Sequence, residues 1–81
     1  MRNDTALQEL VYKPAKWSTQ EVVSALKQVN GKFQIDSRKW INQGNPQPTS
    51  KGIQLDLEDW PGVIKNIQEL LDSYYNQNGK G

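Results

Sequence analysis

The 81-residue sequence contains no cysteine and no histidine. Without cysteine, disulfides, zinc–thiolate sites and thiol nucleophiles are excluded. Without histidine, the commonest general base and the commonest transition-metal ligand are missing as well. We therefore expect no catalytic residue, no metal site and no cofactor, and we predict that the protein is not an enzyme.

Long apolar runs are also missing. No stretch approaches the ~20 apolar residues that a membrane helix needs, and residues 1–5 lead into no apolar segment of signal length. We expect an intracellular protein of the cytoplasm or nucleoid, with no membrane partner. A single domain this small often needs disulfides, a metal or a second copy for stability, and self-association is the device that remains.

The net charge of +1 hides an uneven distribution. Residues 10–54 carry seven basic and two acidic side chains, a net +5, whereas residues 55–81 carry two basic and five acidic ones, a net −3. Residues 1–9 contribute −1. This asymmetry predicts a basic working surface with an acidic part elsewhere, although chance placement on a solvated surface would give the same count.

Alternation of apolar and polar residues predicts strands. Residues 6–12 form a short strand, and the Pro-containing residues 13–16 connect it to the next element. The clearest strand is 32–41, and 51–57 alternates as well. Between them, residues 42–50 have the composition of a polar loop.

The two faces of strand 32–41 differ in chemistry. The face expected to pack in a core presents Phe33, Ile35, Ser37, Lys39 and Ile41. The opposite face, expected to be exposed, presents Lys32, Gln34, Asp36, Arg38 and Trp40. Cations beside an exposed indole are typical of single-stranded nucleic-acid binding, in which rings stack on bases and cations contact phosphates. A surface Trp half-covered by a neighbour is the simpler alternative.

Residues 17–31 fit two structures. Residues 18–21 form a capping box, and Val22, Leu26 and Val29 recur at helical spacing. Asn30-Gly31, however, is the preferred central pair of a type I′ hairpin turn, which would make 22–29 a strand and bring Lys27 to the face of Lys32. The local pattern does not decide between helix and strand.

A helix is predicted from about Asp56–Asp59 to Tyr75, with Pro61 in its first turn. Asp56, Glu58 and Asp59 are explained by capping and by the helix dipole rather than by a metal or catalytic site. The apolar stripe of this helix is wide enough for a core contact, a dimer interface, or both. Its members are Trp60, Ile64, Ile67, Leu71 and Tyr74.

The order of these segments resembles the transcriptional coactivator positive cofactor four family. Residues 33–40 (FQIDSRKW), a Pro-containing loop, residues 50–55 (SKGIQL) and an acidic helix start with Trp60 follow that family's pattern over residues 22–71. The resemblance implies a homodimer of β-β-β-β-α chains, joined through the helices, that binds single-stranded or unwound DNA on the sheet. It also favours a strand over residues 22–29.

Carried over by position, the resemblance implies DNA contacts from Lys27, Lys32, Arg38, Trp40 and Lys51. It implies a dimer interface containing the stripe defined above. The sequence departs from the pattern at Val29 and Ile41, where the family has aromatic residues, and at Ser37, where it has Ile. The long Ser- and Lys-rich arm of eukaryotic members is absent, which favours a minimal bacterial or phage-type protein.

We therefore predict an α+β fold in which a four-stranded antiparallel curved sheet is followed by a C-terminal helix. Residues 1–5 and 76–81 are predicted tails around a single domain, 6–75. The predicted function is sequence-tolerant single-stranded DNA binding in transcription, replication or recombination. The alternative is a protein–protein adaptor that grips a transcription or replication partner on the same dimeric scaffold.

Overall fold

A computed structural model of the protein describes residues 6–78. The predicted N-terminal tail, 1–5, and residues 79–81 of the predicted C-terminal tail lie outside this range. The chain forms an antiparallel sheet with strand order β1-β2-β3-β4, followed by a short 3₁₀ turn and a helix, so the α+β prediction is confirmed. The elements are β1 (Ala6–Tyr12), β2 (Gln20–Val29), β3 (Lys32–Gln43), β4 (Asn45–Asp56), the 3₁₀ turn (Leu57–Asp59) and α1 (Trp60–Asn78).

The ambiguous segment is a strand, and its helical interpretation is wrong. Glu21, Val23 and Ala25 in β2 are buried, which is the period of two expected when one face of a strand packs. The turn into β3 places Asn30 at φ 51° and Gly31 at φ 82°. Two consecutive positive φ values define the type I′ geometry that Asn-Gly favours.

The predicted loop over residues 42–50 is wrong, because β3 and β4 continue through it as a long hairpin. β3 runs to Gln43, the chain reverses at Gly44 with φ 91°, and β4 begins at Asn45. Only glycine adopts such a φ without strain, so one residue reverses the chain here. Pro46 and Pro48 are tolerated because β4 is an edge strand, where a missing N–H leaves no neighbour unpaired.

The pairing register assigns each side chain to one of two faces. The Arg38 face is defined by Glu21, Val23, Ala25, Lys27, Lys32, Gln34, Asp36, Arg38, Trp40, Gly52, Gln54 and Asp56. The Ile35 face is defined by Leu10, Tyr12, Val22, Ser24, Leu26, Phe33, Ile35, Ser37, Lys39, Ile41, Ile53 and Leu55.

The burial of these faces is the reverse of the prediction. On the Ile35 face, Phe33 and Ile41 are 46% and 36% exposed, whereas Asp36 and Trp40 on the Arg38 face are each 6% exposed. The side chains of the Arg38 face pack against one another across the strands. The Ile35 face instead leaves an open apolar groove of about 300 Å³, whose lining includes Leu10 and Leu57. The expected core of strand 32–41 is therefore largely uncovered in the single chain.

Ser37 interrupts the apolar pattern of the Ile35 face, and a second serine lies opposite it. Ser24 and Ser37 are register partners, and their hydroxyl oxygens are 2.9 Å apart. Each hydroxyl thus has a partner in a half-buried position, where an unpaired hydroxyl would destabilise the sheet. At position 37, where the family has Ile, this chain therefore has a serine that is hydrogen-bonded to Ser24.

The helix begins at Trp60 with Pro61 in its first turn, as predicted, and continues to Asn78, three residues past the predicted end at Tyr75. Trp60 anchors its start, because the indole Nε1 donates a 3.0 Å hydrogen bond to the carbonyl oxygen of Ile35. The expected side-chain cap from Asp56 is wrong, since this carboxylate accepts a hydrogen bond from Gln34 instead. Among residues 6–78, no helix is both long and apolar enough to cross a membrane.

Candidate nucleic-acid interface

The Arg38 guanidinium is held in place on the Arg38 face. Its Nε donates a 2.7 Å hydrogen bond to Asp36 Oδ1, and one terminal nitrogen, Nη1, donates a 2.8 Å bond to the carbonyl oxygen of Thr49. Arginine has five N–H donors, so these two bonds leave three for a ligand. The side chain is 22% exposed. A fixed planar cation with free donors is suited to a phosphate.

Asp36 links Arg38 to a second cation. Its Oδ2 lies 3.6 Å from the Lys27 ammonium, and its side chain is only 8% exposed. The three groups together carry a net charge of +1. Asp36 therefore keeps two cations close together on a partly buried face, while it neutralises half of their charge.

Lys32, near the hairpin turn, also faces a carboxylate. Its ammonium lies 4.0 Å from Asp56 Oδ2 and is 75% exposed. Asp56 accepts a 2.7 Å hydrogen bond from Gln34, which in turn accepts a 2.6 Å bond from Gln54. The predicted basic surface is therefore mixed in charge here, because the sheet brings an acidic residue from the region before the helix onto it.

A bulge in β4 brings the Thr49 carbonyl to the Arg38 guanidinium. Between the pairs Arg38–Gly52 and Trp40–Pro48, β4 has two more residues than β3. Thr49 fills this bulge by donating its hydroxyl to the Lys39 carbonyl at 2.7 Å, and it accepts the Lys51 backbone N–H at 3.2 Å. Lys51 is exposed and is followed in β4 by Gly52, the register partner of Arg38. Its role as a DNA contact stays a prediction.

Gly52 is required by the close approach of the two strands. A Cβ built on it would lie 1.9 Å from the Arg38 Cβ and 2.7 Å from the Ser37 carbonyl oxygen. Sequence reasoning used Gly52 only as part of a motif and missed Thr49, because Thr49 fell in the predicted loop. No sequence signal identifies the bulge.

Trp40 lies on the same face as Arg38, as predicted, but it is not exposed. Its neighbours across the strands are Glu21, itself 4% exposed, and Pro48. The expectation of an exposed indole is therefore wrong, since Trp40 is 6% exposed. Its role in base stacking stays a prediction.

Another indole is more open and was not among the predicted site residues. Trp17, on the connection between β1 and β2, is half-buried, and the Lys39 ammonium lies 4.8 Å from its ring centroid. Two backbone hydrogen bonds fix this connection. The backbone N–H of Trp17 donates to the Pro14 carbonyl, and the backbone N–H of Asn42 donates to the Thr19 carbonyl. The Lys-Pro-x-Lys-Trp run is the only sequence signal for this cluster.

The predicted dimer residues lie along α1. Trp60 is half-buried by its bond to the sheet, whereas Ile64, Ile67, Leu71 and Tyr74 are 45–58% exposed. Between residues 61 and 77, only Val63 is half-buried and every other residue is exposed. The helix therefore presents its apolar stripe to the outside of the single chain.

The acidic residues do not converge on a metal site. Within residues 6–78, no three carboxylate, histidine or cysteine side chains are grouped so that they could hold a metal ion. Asp56 is engaged on the sheet, and Glu58 and Asp59 lie in the first turn of the 3₁₀ segment. The carboxylates near the helix start therefore give the described residues no metal-binding chemistry beside the cations of the sheet.

These elements define an α+β protein whose open four-stranded sheet carries cations and whose C-terminal helix is uncovered. Comparisons of the chain with protein-family models, with curated proteins and with solved structures found no match.

Proposed function

We propose that the protein is a homodimeric, sequence-tolerant single-stranded DNA binding protein that acts in transcription, replication or recombination. The observation that carries the proposal is the Arg38 guanidinium, which is fixed by Asp36 and Thr49 and has three N–H donors left. Lys27 is linked to it through Asp36, Lys32 lies farther along the same face, and Lys51 is an exposed cation in the β4 bulge. The resemblance of residues 22–71 to the positive cofactor four family implies the same activity.

A preorganised arginine favours a phosphate ligand for an energetic reason. A free arginine loses about 2 kcal/mol of side-chain entropy when it is immobilised, whereas Arg38 is already ordered by its own hydrogen bonds. Such contacts recognise the backbone and not the bases, which makes binding tolerant of sequence. In this proposal Trp40 supports the phosphate-binding face, and it stacks on a base only if its ring, which is 6% exposed, becomes uncovered on binding.

The homodimer is proposed because the single chain has very little core. Its buried hydrophobic residues among those described are Ala6, Val23, Ala25 and Trp40. A second copy supplies the missing contact if the helix stripes and the apolar groove of the Ile35 face, which includes Leu10, Leu26 and Leu57, pack between the two chains. Fully burying one Ile or Leu stabilises an assembly by about 1.5–3 kcal/mol, so a few such residues from each copy suffice.

Fluorescence anisotropy of labelled oligo(dT), compared with a duplex of the same length, tests the DNA-binding proposal. We expect tighter binding of the single strand and weaker binding as salt rises, through counterion release. Arg38→Ala should weaken binding about tenfold to a hundredfold, since hydrogen bonds to charged groups contribute about 1.5–3 kcal/mol. Lys65→Ala is the matched control, because Lys65 is a 76% exposed cation on α1, paired with Glu69.

Because Arg38 also links β3 to β4, its variant must first be shown to be folded by circular dichroism. Lys51→Gln gives a second measurement, since Lys51 is exposed and its backbone N–H makes the structural bond. Equal affinity for single strand and duplex, or folded Arg38 and Lys51 variants that bind like the Lys65 control, would refute the proposal. Sedimentation equilibrium at micromolar protein tests the dimer separately, and a monomer there contradicts it.

A further inference from the structure

The lysines of the sheet region differ in whether a carboxylate is near. Lys27 and Lys32 lie within 4.0 Å of Asp36 and Asp56, respectively. Within residues 6–78, no carboxylate lies at ion-pair distance from four other lysines, which are Lys13, Lys16, Lys39 and Lys51. These four lysines are therefore the ones available to bind an external anion, and none of them lies at the Asn30-Gly31 turn.

The free lysines lie towards the opposite end of the sheet. Lys39 pairs in register with Val22, close to where β2 begins, and the same row of the sheet contains Tyr12 at the end of β1. Lys13 and Lys16 are exposed on the connection between these two strands. This end of the sheet is remote from the Asn30-Gly31 turn and from the start of α1.

Aromatic rings accompany these lysines. The Lys39 ammonium contacts the Trp17 ring at 4.8 Å, within the range of a cation–π interaction. The backbone N–H of Trp17 donates to the Pro14 carbonyl and closes a turn that contains Lys16. Tyr12 is 67% exposed. Rings that are ordered but accessible, next to ammonium groups without carboxylate partners, match the combination of base stacking and phosphate contact in a single-strand site.

The site is continuous with the proposed DNA contacts through the β4 bulge. Thr49 accepts a hydrogen bond from Arg38 at its carbonyl and donates one to the Lys39 carbonyl. Lys51 is bonded to the same threonine hydroxyl. Thr49 thus bonds to the Arg38 guanidinium and to the backbone of Lys39 and Lys51. The Lys39 side chain lies on the opposite face, so a nucleic-acid strand bound at Arg38 reaches Lys39 by crossing the β4 edge of the sheet.

We propose that Trp17, Lys39, Lys13 and Lys16 form a second contact site for single-stranded nucleic acid, in which Trp17 stacks on a base and the lysines contact the flanking phosphates. The inference rests on the proposed DNA-binding function and extends it to Trp17, Lys13 and Lys16, which precede the residues 22–71 that the family resemblance includes. The Trp17 site supplies the accessible indole that buried Trp40 does not.

The test uses the full chain and oligo(dT) at two salt concentrations. The double variant Lys13→Gln/Lys16→Gln is expected to bind more weakly and to reduce the slope of log K against log salt by about 0.7 for each phosphate that is no longer neutralised. Both lysines are exposed, so this variant folds as the wild type does. Lys65→Gln, on α1, is the matched control and leaves the slope unchanged.

Trp17 is tested by two substitutions. Trp17→Ala should weaken binding about five- to a hundredfold, the equivalent of removing one base–ring stack, whereas Trp17→Phe should restore most of the affinity because it retains a ring. If the lysine pair and Trp17→Ala bind within twofold of wild type while Arg38→Ala is weakened, the Trp17 site is refuted and the proposed function stands. If wild type does not bind oligo(dT), both are refuted.

Discussion

The close approach of β3 and β4 at Gly52 makes the sharpest stability prediction. In Gly52→Ala the new methyl carbon would lie 1.9 Å from the Arg38 Cβ, 2.6 Å from the Arg38 Cα and 2.7 Å from the Ser37 carbonyl oxygen. None of these atoms is the end of a flexible side chain, so the strands must separate by more than 1 Å to restore contacts of about 3.5–4.0 Å. The adjacent pairing and the Arg38 bond to Thr49 lie in the region that must move.

The magnitude follows from two contributions. Overpacking costs about 1–3 kcal/mol, and weakening one or two hydrogen bonds adds about 0.5–1.5 kcal/mol each. We expect a loss of about 2–4 kcal/mol, a large part of the roughly 4–12 kcal/mol total stability of a chain this size. The melting temperature should fall by roughly 10–20 °C.

Thermal and urea unfolding followed by circular dichroism measure this loss, at one protein concentration because a dimer melts at a concentration-dependent temperature. Gly62→Ala is the matched control. A Cβ at this helical glycine meets nothing within 4 Å, so the same substitution should stabilise by about 0.5–1 kcal/mol through helix propensity. If Gly52→Ala and Gly62→Ala have the same unfolding midpoint, the close approach of β3 and β4 does not explain why position 52 is a glycine.

Three further substitutions probe separate features. Ile67→Glu should shift the proposed dimer to monomer in sedimentation, because Ile67 lies in the helix stripe, whereas Asn66→Glu on the same helix should not. Asp36→Asn retains an oxygen for the Arg38 hydrogen bond and removes the shared negative charge, so affinity for oligo(dT) at low salt should rise; unchanged affinity argues against the Arg38 face. Gly31→Ala should lower stability by about 1–2 kcal/mol in urea unfolding, since Gly31 has φ 82°.

The elements with strong local signals could be predicted from the sequence. Pro61 marks the first turn of α1. Asn30-Gly31 favours its own turn through positive φ values, but the capping box and helical spacing before it leave residues 17–31 undecided until the family resemblance favours a strand. The hairpin over residues 42–50 could not be predicted, because two prolines and several polar residues on an exposed edge strand have the same composition as a loop. Its strand character comes from pairing with β3, a contact between residues that local patterns do not report.

The sequence predicts which residues belong to the candidate site, but it does not predict the ion pairs between them. Alternation correctly placed Arg38 and Trp40 on one face, and the hairpin turn correctly added Lys27. Alternation carries no information on which face is covered, however, and so Trp40 was expected to be open. The pairing of Lys27 with Asp36 depends on the register of β2 against β3. The bond from Arg38 to Thr49 depends on a bulge in the pairing of β3 with β4, and local patterns report neither.

The surfaces proposed for dimerisation and for nucleic acid share the Ile35 face, which contains both the apolar groove and Lys39, but they use different residues of that face. The helix stripe, and Leu57 in the apolar groove, lie at the end of the sheet where Trp60 contacts Ile35. Lys39 and Trp17 lie at the other end, and Arg38 lies on the opposite face from Ile35. A second copy packed on the groove and the helix therefore leaves both cation sites open.

Each dimer would present two such surfaces. An oligonucleotide long enough to reach both would bind the second surface at a higher effective concentration than the first. Affinity should then rise with oligonucleotide length beyond one site, and Ile67→Glu should remove that rise while leaving short-oligonucleotide binding intact.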